Sequence, residues 1–255
     1  MLLAVDIGNT ETTLGVFEGD KLRATWHIST VISRTADELA PLLFNLLGNK
    51  DLQSSDINEV SFCSVVPPLT ATFEEVFRRY FNISPMVVAA GIKTGVRICM
   101  DNPIEVGADR IVNAAAVHHL YGGPVIIVDL GTATTFDTVS EKGDYMGGAI
   151  APGMVAATEA MFQKAAMLPR VELMRPNRAI GTNTIDAMKS GIVFGYVGLV
   201  EGMVARIQRE LGVRTKVIAT GGYARLIAGE TSVIDEVNPD LTLIGLRLIY
   251  RMNKS

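Results

Sequence analysis

A short acidic motif occurs twice, once in each half of the chain, and it constrains the fold more than any other feature of the sequence. Asp6-Ile7-Gly8-Asn9-Thr10 stands near the start, and Asp129-Leu130-Gly131-Thr132 stands near the middle of the 255 residues. An apolar run precedes each motif (2–5 and 125–128), and a second β-rich segment follows each one (13–17 and 134–137). A strand, an acidic turn and a strand in each half predict two like domains that face each other across a cleft.

The first of these turns has the chemistry to bind phosphate. Gly8 lets backbone N–H groups approach a ligand closely, while Asn9 and Thr10 add side-chain donors. Asp6 offers a hard oxygen to a hydrated divalent ion. The plainer alternative is a β-hairpin whose Asn-centred turn is only a turn. Recurrence of the acid at Asp129 favours binding, because otherwise both strands would need a terminal acid for unrelated reasons. A nucleoside triphosphate with its metal would suit such a pair of turns.

The composition argues against two classes of partner. The formal net charge is −4, and nothing indicates the clustered Lys and Arg of a nucleic-acid surface. The longest uncharged run, 111–128, contains His118, His119 and the breaker Gly122-Gly123-Pro124, so we expect no membrane span there. No basic segment precedes the first apolar run, so we expect no signal peptide and a cytoplasmic protein.

Cys63 and Cys99 are the only cysteines. One disulfide could form, but Cys63 lies in an apolar, strand-like run, which favours two reduced thiols. No CxxC pair or Cys/His cluster indicates zinc.

Hydrophobic periodicity predicts an α/β chain of two domains, 1–121 and 122–255. Each half opens with three strands joined by tight turns, which implies antiparallel neighbours. Thr35 and Glu38 form a capping-box pattern that starts a helix ending at Gly48. The predicted strands are 2–5, 14–17, 22–28, 60–65, 86–89, 125–130, 134–140, 145–150 and 217–220. The other predicted helices cover 69–81, 108–121, 152–164 and 184–211.

Three glycine-rich passages allow two interpretations each. The strand-to-helix passage 147–153 fits tight packing as well as ligand contact. Gly221-Gly222 follows an apolar strand, so a base or ribose could lie against the backbone there, or the pair could form a plain left-handed turn. The glycines at 191, 195 and 198 lie at near-helical spacing, which predicts close helix packing, within one chain or across subunits.

The segment 105–110 precedes the predicted helix 108–121. Asp109 would lie in the first turn, where the helix dipole favours a carboxylate, and this alone explains the residue. The functional alternative uses Arg110 as well, since its guanidinium can meet an anionic group bidentately.

Five segments taken together resemble the type III pantothenate kinases, in order and over essentially the whole chain. They are DIGNT at 6–10, NPIEVGADR at 102–110, DLGTATTFD at 129–137, GGAIAPG at 147–153 and ATGG at 219–222. The family is similar to the actin, Hsp70 and sugar-kinase superfamily. The resemblance implies two ribonuclease-H-like domains, each a mixed β-sheet flanked by helices, with a nucleotide cleft between them.

The resemblance also implies an activity: ATP-dependent phosphorylation of the primary hydroxyl of pantothenate to 4'-phosphopantothenate, the first step toward coenzyme A. It further implies Mg²⁺ and a monovalent cation, K⁺ or NH₄⁺, as cofactors, and a homodimer. The chemistry is consistent with the motifs, because phosphoryl transfer needs positioning and charge neutralisation more than covalent catalysis.

Individual roles are implied by position within the matching segments. Asp109 would accept the proton of the substrate hydroxyl, Asp129 would hold the monovalent cation, and Asp6 would hold Mg²⁺ through water. The ATP-binding residues would be Asp6, Ile7, Gly8, Asn9, Thr10, Glu11, Thr12, Thr13 and Thr132. The pantothenate-binding residues would be Met100, Gly107, Ala108, Asp109, Arg110 and, from the second domain, Thr184. The family commonly has Tyr where this chain has Met100, so a ring and a hydroxyl are lost there, while an apolar wall remains available.

Two other classes of function compete with this interpretation. Another kinase or phosphatase of the superfamily could act on a sugar or polyphosphate, but the GADR segment at 107–110 belongs to the pantothenate kinases. A non-catalytic accessory factor for transcription is the other alternative. Intact Asp6, Asp109 and Asp129 argue for catalysis, and the lack of a basic patch argues against DNA.

Overall fold

A computed structural model describes residues 1–165 and 168–254, which form two five-stranded sheets and seven α-helices. The strands are β1 Leu2–Ile7, β2 Glu11–Glu18, β3 Lys21–Ser29, β4 Glu59–Ser64, β5 Met86–Val87, β6 Val125–Leu130, β7 Ala133–Val139, β8 Tyr145–Pro152, β9 Lys216–Thr220 and β10 Glu236–Val237. The helices are α1 Ala36–Gly48, α2 Pro67–Tyr80, α3 Ala108–Tyr121, α4 Met154–Lys164, α5 Thr184–Leu211, α6 Ala224–Ala228 and α7 Leu241–Lys254. Every predicted strand and helix is present, whereas α6, β10 and α7 were not predicted.

The chain divides into two compact units. The first unit comprises Met1–Val96, Asp101–Ala116 and the helix that begins at Leu241, and the second comprises Arg97–Met100 and Val117–Asp240. The predicted division at 121/122 differs from these units chiefly in two places. The last helix packs with the first unit, and a four-residue segment from the first half packs with the second unit.

The sheet of the first unit has the order β3-β2-β1-β4-β5. β1, β2 and β3 are antiparallel, as their short turns predict, while β4 and β5 add in parallel. This register places Asp6 of β1 beside Thr13 on one side and beside Cys63 on the other. The central strand therefore carries its terminal acid between a threonine and a thiol.

The capping box at the start of α1 is confirmed. The backbone N–H of Glu38 donates to Thr35 Oγ1 at 3.4 Å, and the N–H of Thr35 donates to Glu38 Oε2 at 2.8 Å. These bonds favour the carboxylate form and so lower the pKa of Glu38. The cap fixes the start of α1, which then buries Leu39 and Leu43 in the first core.

The helix α7 belongs to the first unit, although it follows the second unit in the sequence. Leu243, Leu246 and Ile249 are buried at helical spacing. Gly245 lies against α3 so closely that a Cβ there would be 2.3 Å from the carbonyl oxygen of Val112. This contact fixes the position of α3, whose first turn carries a predicted site residue.

The second unit repeats the topology of the first. Its sheet has the order β10-β9-β6-β7-β8, with β6, β7 and β8 antiparallel and β9 and β10 parallel. Asp129 lies beside Thr135 on one side and Thr220 on the other. Asp129 therefore occupies in β6 the place that Asp6 occupies in β1. The predicted fold class, with a mixed sheet flanked by helices in each half, is confirmed.

The longest helix, α5, spans 28 residues and begins at Asn183, whose side chain accepts the Asp186 N–H at 2.9 Å. It ends at Gly212 in the left-handed conformation, with φ 68°. By length and composition this helix could cross a membrane, and 39% of its most apolar stretch is buried in the structure. Val193 and Val204 lie in the core of the second unit, as in a core helix of a globular domain.

Three of the four glycines of α5 do not serve close packing among the described residues. Gly191, Gly195 and Gly198 are all exposed. Beyond the backbone of α5 itself, no heavy atom of the described residues lies within 4 Å of a Cβ built on any of them. The expectation of close packing is therefore wrong within one chain, and packing across subunits is the interpretation that remains.

Candidate active site

The first acidic turn connects β1 to β2 and is closed by Gly8. The N–H of Gly8 donates to the carbonyl of Glu11 at 3.1 Å. A Cβ at position 8 would lie 2.8 Å from that carbonyl oxygen, so the turn has room only for glycine. Asn9 and Thr10 are exposed at its tip. The turn thus presents short polar side chains and backbone to solvent, as a phosphate-binding turn must.

Thr30, just beyond the end of β3, holds this turn in place. Its N–H donates to the carbonyl of Thr10 at 3.0 Å, and its hydroxyl donates to the carbonyl of Gly8 at 2.7 Å. Its Oγ1 also lies 2.9 Å from Thr12 Oγ1. Thr12 and Ile7 are 1% and 0% exposed, so only their backbones could face a nucleotide. No sequence signal marks Thr30, because its role depends on the pairing of β2 with β3.

Glu11 and Thr13 extend from the turn along the exposed face of β2. His27 of β3 lies opposite, with its Nδ1 3.0 Å from Glu11 Oε1 and 3.3 Å from Thr13 Oγ1. His27 therefore orients two side chains that are predicted to bind ATP.

Asp6 is an acid whose ionised form the surrounding structure disfavours. Burial, reinforced by the nearby charge of Asp109, raises the pKa of Asp6 from 3.8 to about 7. Glu11 adds to this rise, whereas the hydrogen bond from the Cys63 thiol opposes it. Some surface of Asp6 remains accessible to solvent. A bound cation would supply the missing positive charge, so the residue fits a role next to a metal ion.

Asp109 lies in the first turn of α3, as predicted. Its Oδ1 accepts the N–H of Arg110 at 2.8 Å. The same oxygen lies only 2.5 Å from where a Cβ on Gly107 would be. Any side chain at position 107 would therefore displace the carboxylate. The fold thus brings Asp109 close enough to Asp6 for the charge of one to raise the pKa of the other.

The second acidic turn connects β6 to β7 and is built like the first. The N–H of Gly131 donates to the carbonyl of Ala133 at 3.1 Å. Asp129 Oδ1 lies 2.6 Å from where a Cβ on Gly221 would be, and 3.2 Å from the corresponding point on Gly131. Gly221 is in the left-handed region with φ +90°. The glycine turn after β9 therefore makes room for the Asp129 carboxylate, a contact between distant segments that no sequence motif indicates.

The glycine-rich passage after β7 is required for tight packing. A Cβ on Gly148 would lie 1.6 Å from the carbonyl oxygen of Phe136, and a Cβ on Gly153 would lie 2.2 Å from that of Thr132. Gly153 is also the N-cap of α4. The start of α4 therefore lies against the second turn, where the exposed Thr132 sits. Helix N-termini favour bound anions, so this passage, besides packing tightly, is also suited to phosphate.

Two predicted pantothenate contacts, Met100 and Thr184, belong to the second unit. The Met100 sulfur lies 2.7 Å from where a Cβ on Gly147 would be, and Gly147 has φ +102°. Met100 is 36% exposed, which suits an apolar wall. Thr184 is the first, exposed residue of α5. The predicted residues at 6–13 and 107–110 all belong to the first unit.

Single carboxylates, rather than a preformed cage, are the candidate metal ligands. Among residues 1–165 and 168–254, no group of three or more His, Cys, Asp or Glu side chains could hold a metal ion. Mg²⁺ usually keeps several waters and is bound by one or two carboxylates together with substrate phosphates. Asp6 and Asp129 are candidate single carboxylates at the two turns.

Two mixed sheets of the same topology, each with an acidic turn at the end of its central strand, define a protein of the actin, Hsp70 and sugar-kinase class. A solved structure from Campylobacter jejuni, described as a Baf family transcriptional activator, matches with a TM-score of 0.63 at 18% identity and covers 99% of this chain and 98% of that one. Component A of (R)-2-hydroxyglutaryl-CoA dehydratase from Acidaminococcus fermentans matches with a TM-score of 0.56 at 13% identity, covering 100% and 99%. At these identities the likeness shows the fold alone.

Comparison of sequences identifies a particular family within this fold class. Residues 2–206 match the sequence model of the family described as type III pantothenate kinase, and the chain belongs to that family. A type III pantothenate kinase of Dehalococcoides mccartyi strain CBDB1 is 60% identical over 253 residues, which cover 99% of this chain and 96% of the relative. The resemblance drawn from the five sequence segments is confirmed.

Proposed function

We propose that this protein transfers the γ-phosphoryl group of ATP to the primary hydroxyl of pantothenate, giving 4'-phosphopantothenate and ADP, the first step of coenzyme A biosynthesis. Membership of the type III pantothenate kinase family identifies the protein as a kinase that uses ATP and pantothenate. The pairing of Asp6 with Asp109 supports the assignment of individual residues. The Asp6 carboxylate suits a bound cation. Asp109 lies near enough to raise the pKa of Asp6, and Gly107 leaves space for the Asp109 carboxylate.

Asp109 acts as the proton acceptor in this proposal. The hydroxyl oxygen of pantothenate attacks the γ-phosphorus, while the bond from that phosphorus to the β,γ-bridging oxygen breaks and ADP leaves. The hydroxyl proton passes to the Asp109 carboxylate. Because the transition state needs little covalent help, alignment of the hydroxyl is the main contribution of this residue.

The ATP phosphates are bound by the first turn, residues 6–13, and by Thr132 of the second turn. The tight closure at Gly8 and the support from Thr30 favour a fixed arrangement of donors in the first turn. The start of α4, beside Thr132, adds the favourable end of a helix dipole.

Pantothenate is bound by Gly107, Ala108, Asp109 and Arg110, with Met100 as an apolar wall and Thr184 as a further contact. Arg110 suits the carboxylate of pantothenate, because its guanidinium can donate two parallel hydrogen bonds. Met100 in place of the family's usual Tyr leaves only apolar contact at that point.

Two cations complete the proposed site. Mg²⁺, held by Asp6 through water, would neutralise phosphate charge, and a monovalent cation, K⁺ or NH₄⁺, would lie at Asp129. The raised pKa of Asp6 supports the first assignment, since a cation would relieve the repulsion from Asp109 and Glu11. The carboxylate oxygen of Asp129 beside the Gly131 and Gly221 turns supports the second.

We also propose a cytoplasmic homodimer that binds neither nucleic acid nor membrane. The exposed glycine face of α5, Gly191, Gly195 and Gly198, supports subunit contact, because no described residue outside the backbone of α5 comes within 4 Å of a Cβ built on these glycines. The net charge of −4 argues against a nucleic-acid partner.

A coupled ADP-release assay tests the function. We expect ADP release that requires pantothenate and Mg²⁺, rises with K⁺ or NH₄⁺, and yields a phosphorylated product by mass spectrometry. Glucose and N-acetylglucosamine serve as alternative acceptors. Release that is independent of pantothenate, or greater with a sugar, would reject pantothenate as the substrate, and no release with any acceptor would favour a non-catalytic role.

A further inference from the structure

A four-residue segment, 97–100, runs beside β8 as an extra edge of the second sheet. The N–H of Cys99 donates to the carbonyl of Tyr145 at 2.8 Å, and the N–H of Tyr145 donates to the carbonyl of Arg97 at 2.8 Å. These bonds make a parallel bridge between Ile98 and Tyr145. The segment is therefore held by the second unit although its neighbours on both sides belong to the first.

An ion pair fixes the beginning of this segment. Arg97 Nε lies 2.9 Å from Asp144 Oδ1, and Arg97 Nη2 lies 3.2 Å from Asp144 Oδ2. This is the two-pronged geometry in which a guanidinium binds a carboxylate most specifically. Arg97 is largely exposed, whereas the Asp144 side chain is only 19% exposed. The pair thus joins an exposed guanidinium to a largely buried carboxylate.

The partner of Arg97 sits on a rigid support. The N–H of Asp144 donates to Ser140 Oγ at 3.0 Å, and its carbonyl accepts the Ser140 N–H at 2.8 Å. The next residue, Tyr145, is fully buried and donates its hydroxyl to Asp137 Oδ1 at 2.6 Å. Position 144 therefore cannot shift without disturbing a buried polar contact.

The end of the segment is held by a side-chain contact. Met100 packs its sulfur on Gly147, two residues beyond Tyr145 on the same strand. Four consecutive residues are thus held on the second sheet by the ion pair, by the backbone bridge and by the contact of Met100 with Gly147. The chain then leads directly into 101–110, which ends in the proposed pantothenate-binding residues.

We propose that the Arg97–Asp144 pair is a positioning device for pantothenate: it holds the 97–100 segment on β8 and so fixes Met100 and the start of the 101–110 loop. This inference rests on the proposed function. Neither Arg97 nor Asp144 needs to touch the substrate or ATP. Loss of the pair lets the segment detach, so the cost appears in pantothenate binding and not in ATP binding.

The test compares Arg97→Ala, Asp144→Ala and the exchanged pair Arg97→Asp/Asp144→Arg with the wild-type enzyme. A well-formed exposed pair contributes up to about 1 kcal/mol, which is about fivefold in an equilibrium. We therefore expect each single variant to raise the KM and the calorimetric Kd for pantothenate about two- to fivefold, with the KM for ATP unchanged. The exchanged pair should recover much of this loss, because it restores the attraction.

Arg23→Ala is the matched control. Arg23 also forms an exposed ion pair, with Glu18 in the β2–β3 hairpin, and neither residue is among the proposed site residues. Removing that pair should leave both KM values unchanged. A similar rise in this control would show a general effect of lost charge and would overturn the proposal.

Hydrogen exchange gives a readout that does not depend on activity. The amides of Cys99 and Tyr145 should exchange faster in Arg97→Ala and Asp144→Ala than in the wild type, and at the wild-type rate in Arg23→Ala. Unchanged exchange together with unchanged pantothenate KM would refute the positioning role. Faster exchange with unchanged KM would refute its link to substrate. A wild-type enzyme that releases no ADP with pantothenate would instead refute the proposed function, and this inference with it.

Discussion

The thiol of Cys63 donates a hydrogen bond to Asp6 Oδ1, with 3.3 Å between sulfur and oxygen. The two residues are register partners on the parallel strands β4 and β1. Burial, together with the charges of Asp6 and Asp109, raises the pKa of Cys63 well above its usual value, so the group remains a thiol and a donor. The Asp6 carboxyl group therefore accepts a hydrogen bond from a neutral donor on the neighbouring strand.

The stability of the metal-free protein should depend on pH through Asp6. The pKa of Asp6 is about 7 in the folded protein, against a usual 3.8, so the folded state holds a proton that the unfolded state has lost over the intervening pH range. Stability from this group is therefore greatest at low pH and is lost as the pH rises through 7. Asp6→Asn should gain on the order of 3 kcal/mol in unfolding free energy relative to the wild type between pH 5 and pH 8. Urea titrations in EDTA measure this difference, and a gap independent of pH would contradict it.

Removal of the Cys63 thiol should move that pH dependence upward. The hydrogen bond from Cys63 lowers the pKa of Asp6. Stability should therefore decline at a higher pH in Cys63→Ala than in the wild type. Cys63→Ser keeps a donor and is the matched control. A shift of equal size in both variants would show that cavity formation, and not the hydrogen bond, is responsible.

Asp109→Asn should leave the fold and ATP binding nearly unchanged while lowering kcat by roughly 10²–10⁴, the usual contribution of a general base. Asp101→Asn, at an exposed position near the start of the same loop, is the control and should keep full turnover. The Asp109 variant should also lower the pKa of Asp6, because it removes a neighbouring charge. More than half of wild-type turnover in Asp109→Asn would exclude this residue from the mechanism.

Asp129→Ala should abolish activation by K⁺, because the proposed monovalent cation would lose its charged ligand. Activity should fall, and added K⁺ should not restore it. Titration of K⁺ at constant ionic strength measures the effect. A variant that still responds in the wild-type concentration range would place the cation elsewhere.

Sedimentation at micromolar concentration should give about twice the chain mass of 27.4 kDa. Gly195→Arg should shift the protein to monomer, because it puts a long charged side chain on the exposed glycine face of α5. Gly195→Ala, which favours the helix and adds only a methyl group, is the control. A wild-type protein that sediments as a monomer would contradict the proposed dimer.

Local features of the fold were predictable from sequence because their causes are local. The hairpins at both acidic turns follow from short loops between apolar runs. The capping box at Thr35 and Glu38 set the start of α1, and α5 was placed with correct ends between Asn183 and Gly212. The predicted β2 was too short, since its first residues, from Glu11, are polar yet pair with β1 and β3.

Of the candidate site, the sequence by itself determined the identities: two acidic turns, a GADR segment, and the family that carries them in this order. The tertiary structure decided which of these residues meet. The parallel pairing of β4 with β1 places Cys63 against Asp6. Met100 is fixed by its contact with Gly147, and the turn after β9 brings Gly221 to Asp129. The physical reason is that each of these contacts joins residues far apart in the chain. Their geometry depends on the register and packing of whole sheets and helices, which no local pattern of residues encodes.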